Sequence, residues 1–164
     1  MKVTVAIVND YEVVVHGVAA MLRSYADRID VVELDSTAEV ASWVDIALYD
    51  TFAQAQGDQQ VVADLVSNPI VAKVVVYTWN LDPELERASL RIGVAGYLSK
   101  RLSARELVEA LEQVHGGAVV VSTESARKAL VGGDWPGREE GLTPRESEIL
   151  ALITQGLTNA ESLD

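Results

Sequence analysis

Five side chains of this sequence could do chemistry together if the fold brings them to one place: Asn9, Asp10, Asp50, Thr78 and Lys100. Two carboxylates, Asp10 and Asp50, with the amide oxygen of Asn9 would make a hard, oxygen-rich site of the kind Mg²⁺ accepts, water completing its octahedron. A lysine and a hydroxyl beside them could hold the oxygens of a phosphoryl group carried on one carboxylate. Phosphoryl transfer needs little more: a positioned nucleophile, a metal and donors for the equatorial oxygens. Taken singly, Asp10 or Thr78 reads as a helix cap and Lys100 as a solvated charge. The combination points further, because these residues follow four apolar runs in chain order, Asn9 and Asp10 sharing the first.

Those runs are the elements that must position the site. Residues 3–8 form a nearly continuous β-branched stretch, the pattern of a strand buried on both faces. Over residues 11–25 the apolar positions Val14, Val18, Met21 and Leu22 recur on one helical face. Residues 30–35 are strand-like, 36–42 can form a short helix, and 46–49 make a third strand ending at Asp50. A helix over 58–67 stops before Pro69, a fourth strand covers 74–77, and Asp82-Pro83 opens a helix with an N-cap and a first-turn proline. A fifth strand covers 94–98. A capping box, Ser103 to Glu106, starts a helix that ends at Gly116-Gly117. Five strands alternating with five helices predict an α/β fold, a doubly wound five-stranded parallel sheet covered on both faces. Ligands in such sheets bind beyond the carboxyl ends of the strands, where the five polar residues stand.

After Val121 the pattern changes. Residues 122–131 read as a short helix, 132–137 as a breaker-rich linker, and Thr143 to Glu146 as a capping box opening a helix to about Gln155. The chain carries 13 basic and 25 acidic residues, a net charge of −12, which argues against non-specific binding of nucleic acid. Absence of cysteine excludes disulfides and thiolate metal sites. Neither a signal peptide nor an apolar run of membrane-spanning length is present, so a cytoplasmic protein without a membrane partner is expected. His16 and His115 lack the closely spaced partners of a nucleophile or metal site, and His115 stands at a helix C-terminus, where an imidazolium is favoured. Trp43, Trp79 and Trp135 show no regular spacing, and packing in core or linker is the expectation.

The order Asn9-Asp10, Asp50, Thr78 and Gly96-Tyr97-Leu98-Ser99-Lys100 resembles the receiver domain of two-component response regulators, over residues 2 to about 120. Residues 141–150, with Leu142-Thr143-Pro144-Arg145-Glu146, and Gly156-Leu157-Thr158-Asn159 look like the start of a LuxR-type helix-turn-helix. Together they resemble the NarL/FixJ class. The resemblance implies a receiver over 1–121, a helix and linker over 122–140 and the opening of the DNA-binding domain over 141–164, a helical extension that is an incomplete helix-turn-helix. It implies Asp50 as phosphoacceptor, with Thr78 contacting the phosphoryl group and Lys100 pairing with its charge. Asp10 and Asp50 would hold Mg²⁺, with Asn9 a weak or indirect contributor. Tyr97 falls at the family's aromatic switch position, although a half-buried strand aromatic explains it equally well. The implied partners are a histidine kinase as phosphodonor and a second copy in a homodimer, with DNA bound only in a full-length form; no enzymatic turnover is implied.

Departures from the family pattern keep a second reading open. Asn9 stands where a carboxylate is usual, Thr51 to Gly57 replace the usual Met-Pro and glycine loop, and Arg101 stands where many receivers carry proline. The alternative is a degenerate receiver acting as a phosphorylation-independent protein-interaction module. A phosphatase or flavin protein on the same fold is disfavoured by the lack of a glycine-rich loop after the first strand.

Overall fold

In the computed structural model the described residues are 1–9, 11–35, 40–51, 57–79, 81–122, 139–143, 146, 147, 149, 150 and 153. Apolar runs become six strands: β1 (Val3–Val8), β2 (Ile29–Asp35), β3 (Val44–Thr51), β4 (Val71–Thr78), β5 (Gly96–Ser99) and β6 (Val120–Val121). They form one sheet in the order β2-β1-β3-β4-β5-β6, every pairing parallel. The helices α1 (Glu12–Leu22), α2 (Gly57–Ser67), α3 (Pro83–Ile92) and α4 (Ala104–His115) connect β1 to β2, β3 to β4, β4 to β5 and β5 to β6. This is the doubly wound parallel sheet that the alternating periodicities predict, and β3, which carries Asp50, lies near its middle.

Strand side chains alternate between two cores, as the period of two requires. Val3, Val5, Ile7, Ile46, Leu48, Val75, Tyr77 and Leu98 pack with α1 and α4; Ala6, Val8, Ala47, Tyr49, Val74, Val76 and Tyr97 pack on the opposite face with α2. The helical stripe Val14, Val18, Met21 and Leu22 is fully buried. Local stops are chemical. The Asp82 carboxylate accepts from the amides of Glu84 and Leu85, and α3 ends at Gly93 with φ +116°, a left-handed conformation. Ser103 and Glu106 form a reciprocal capping box at the start of α4.

Three expectations are modified. The sheet gains β6: Gly117, at φ +103°, turns the chain after α4, and Val120–Val121 pair with Gly96 and Tyr97. The short helix expected over 36–42 does not extend to 40–42, which are not helical; 36–39 lie outside the described residues. Trp43 is 60% exposed instead of packed in a core, while Trp135 lies outside the described residues. The helix expected over 122–131 and the linker after it also lie almost wholly outside them. In the tail, Thr143 and Glu146 form the expected capping box, and residues 146, 147, 149, 150 and 153 are helical. Leu150 and Ile153 on that helix are 54% and 51% exposed. Among the described residues no helix is long and apolar enough to cross a membrane.

Candidate functional site

Asp50 is the penultimate residue of β3, paired in register with Tyr77 of β4. Strands on both sides bury it to 2% exposure. A carboxylate so far from water must be matched by charge or hydrogen bonds. Lys100 supplies the charge. It leaves the end of β5, its backbone N–H donates to the Thr78 carbonyl at 2.9 Å, and its ammonium forms an ion pair with Asp50 Oδ1. The two side chains are 3% and 1% exposed, and the Lys100 ammonium lies 5.8 Å from the centre of the Tyr77 ring.

Asn9, at the end of β1, supplies the hydrogen bonds. Its Nδ2 donates to the Asp50 carbonyl at 2.6 Å and to Asp50 Oδ1 at 3.0 Å, while its Oδ1 accepts from the Tyr11 backbone N–H at 2.8 Å. A backbone N–H can only donate, so the atom facing Tyr11 must be the oxygen, and Asn9 presents its amide hydrogens to Asp50. The same contact ties down the start of α1, whose N-cap, Tyr11, gives no side-chain cap.

Thr78 closes β4, opposite Thr51 and Ser99, and is 0% exposed. Asn9, Asp50 and Lys100 therefore meet directly, and Thr78 joins them through its carbonyl. Tyr97 is buried to 3% exposure, with its ring in the core that contains Val76 and Val94. Asp10 lies outside the described residues. Two neighbours were not singled out as site residues. Tyr77 packs under the Lys100 ammonium, and burial together with the Asp50 charge pushes its phenol far above the ordinary value. Trp79 follows Thr78 and carries the Arg101 guanidinium 5.8 Å from its ring. Proximity to Thr78 and Lys100 was the available signal for both, but cross-strand contacts are not written in spacing.

The donor chemistry bears on a divalent cation. A carboxylate oxygen at a strand end suits Mg²⁺. Among the described residues, however, no group of three or more His, Asp or Glu could hold a metal. Of the acidic site residues, Asp50 is the one that the described structure places at a strand end. His16 lies near Glu12 at 3.6 Å on the exposed face of α1, and His115 approaches Asp45 at 3.8 Å. Asp45 is the second residue of β3, at the opposite end of the strand from Asp50.

No family model matches the chain. Response regulator UvrY of Escherichia coli (strain K12) is 24% identical over 163 residues, covering 94% of this chain and 75% of that protein. Transcriptional regulatory protein MctR of Rhizobium johnstonii is 29% identical over 168 residues, covering 98% and 77%. Among solved structures, the signal receiver domain of NarL from Mycobacterium tuberculosis superposes with a TM-score of 0.55 at 24% identity, over 71% of this chain and 98% of that one. A LuxR family DNA-binding response regulator from Silicibacter pomeroyi gives 0.59 at 21% identity, over 75% and 98%. The chain thus resembles response regulators of the NarL/LuxR class along nearly its whole length, and its sheet has the fold of their receiver domains.

Proposed function

We propose that this chain receives a phosphoryl group on Asp50 from a histidine kinase and so controls transcription through a LuxR-type DNA-binding unit that begins within residues 141–164. Residues 1–121 act as the receiver and 122–140 as helix and linker, in a cytoplasmic protein that works as a homodimer. The observation that carries the reading is the buried ion pair between Asp50 and Lys100 at the ends of β3 and β5. An Asp50 carboxylate oxygen attacks the phosphorus, and the bond from phosphorus to the leaving nitrogen or oxygen breaks. The displaced imidazole or acetate departs with the electron pair. Lys100 is then positioned to neutralise the new oxygens, and the Thr78 hydroxyl to donate to one of them. Mg²⁺, held by Asp50 and Asp10 with Asn9 contributing weakly or indirectly, would supply further neutralisation of phosphoryl charge. The buried Tyr97 serves as the residue whose packing reads out the modified state.

Incubation with acetyl phosphate and Mg²⁺ should add one phosphoryl mass to the intact protein, and Asp50→Asn should abolish the gain. Label that persists in Asp50→Asn removes the assignment. A second reading has its own support: the Lys100 ammonium and one Asn9 hydrogen bond already meet the Asp50 carboxylate at Oδ1. A receiver balanced in this way could act as an interaction module without phosphorylation. Unlabelled wild type under the same conditions favours that reading.

A further inference from the structure

Two side chains that the phosphoacceptor reading does not use stand beside the site. In the sheet order β4 separates β3 from β5. The Lys100 side chain, reaching from the end of β5 to Asp50 on β3, must therefore cross the end of β4. Trp79 is the residue that leaves β4 there, immediately after the buried Thr78. Arg101, immediately after Lys100, places its guanidinium 5.8 Å from the centre of the Trp79 ring. The loops after β4 and β5 are thus joined by a cation–π stack beside the Asp50–Lys100 pair. Thr78 and Lys100, which precede the stacked residues in the chain, and Asp50, the ion-pair partner of Lys100, are 0%, 4% and 2% exposed. We propose that the Trp79–Arg101 stack is a cover that restricts access of water and small phosphodonors to Asp50.

A second feature of the indole says how the cover opens. Trp79 Nε1–H is buried and finds no acceptor among the described residues. A buried donor without an acceptor is unfavourable, and swinging outward hands it to water. The closed cover is held by the ring and its stacked cation, and loosened by the indole N–H. Trp79 and Arg101 are positioning residues here; neither is asked to touch the reacting atoms. The consequence for phosphoryl transfer rests on the proposed role of Asp50, while the cover itself does not.

The test reads access separately from phosphorylation. The 164-residue chain is treated with a water-soluble carbodiimide and glycine ethyl ester, and modification at Asp50 is followed by peptide mapping; an amide to Lys100 counts equally, since the reagent must reach Asp50 to form it. Trp79→Ala should raise the rate by about tenfold or more, because reaction no longer waits on local opening. Arg101→Ala, an exposed position that leaves the core intact, should raise it by a smaller factor. Trp79→Phe, which keeps a ring but removes the orphan donor, should react no faster than wild type. Thermal melts identify any variant that has simply unfolded, and Arg101→Ala then carries the comparison. Rates for Trp79→Ala and Arg101→Ala within about twofold of wild type overturn the cover, as does Trp79→Phe reacting like Trp79→Ala. Acetyl phosphate labelling in parallel should rise with access, and the phosphorylated form should hydrolyse faster. If access opens while labelling stays absent, the cover stands and the phosphoacceptor reading falls.

Discussion

Replacing Lys100 by methionine keeps most of the apolar stem and removes the ammonium that faces Asp50. With the two side chains 3% and 1% exposed, almost no solvent remains to take over the Asp50 charge. Removing one partner of a buried pair costs about 3–5 kcal/mol, because the other charge is left uncompensated. Here Asn9 Nδ2 still donates to Asp50 Oδ1 at 3.0 Å, so the cost should fall at the lower end, about 3 kcal/mol. For a chain of this length that corresponds to a melting point lower by about 6–12 °C. Urea titration followed by far-ultraviolet circular dichroism measures it. Asp50→Asn should cost a similar amount by stranding the ammonium. The double variant Asp50→Asn/Lys100→Met should recover most of the loss, giving a coupling of about 2 kcal/mol or more. Single costs below about 1 kcal/mol that simply add would refute the reasoning, since they would mean that water or another group already serves both charges.

Asn9→Asp exchanges an amide donor for a further carboxylate and should tighten Mg²⁺ binding in a tryptophan fluorescence titration; unchanged or weaker affinity means that position 9 does not face the cation. The forked pair from Arg28 to Glu112, at 2.8 and 2.6 Å, holds the Glu112 carboxyl below its ordinary value. A depressed folded value means stability present above the unfolded value of about 4.5 and lost as pH falls through the lower folded one. Glu112→Gln should therefore flatten the decline of stability below about pH 5, and an unchanged acid limb would show that the pair contributes nothing. The 164-residue chain should give no sequence-selective mobility shift even at low salt, because its net charge is −12 and residues 122–164 carry eight acidic against four basic groups. A salt-sensitive, sequence-selective shift would contradict this.

What the sequence made legible follows from how local the governing physics is. β-Branched runs announce strands buried on both faces, and caps such as Asp82-Pro83 and Ser103 to Glu106 announce helix starts, because both depend on neighbours a few residues away. Strand-end placement was enough to say that Asn9, Asp50 and Lys100 would meet. β6 is not legible although Val119, Val120 and Val121 are β-branched, because two paired residues give too short a period to read. Which way the Asn9 amide turns depends on the Tyr11 N–H, and no spacing rule encodes that choice. The Tyr77 ring under Lys100 and the Arg101 guanidinium over Trp79 are contacts across strands or between loops. They appear only once register is fixed.

If the carboxylate of Asp50 accepts the phosphoryl group, the group can be located on the chain chemically. Protein treated with acetyl phosphate and Mg²⁺ is reduced with borohydride, which converts an acyl phosphate on aspartate to homoserine, and is then mapped by peptide mass spectrometry. Homoserine at position 50 and at no other aspartate is the expected result. Homoserine at Asp10, at any other aspartate or nowhere in the chain, with the fold intact by circular dichroism, would contradict it.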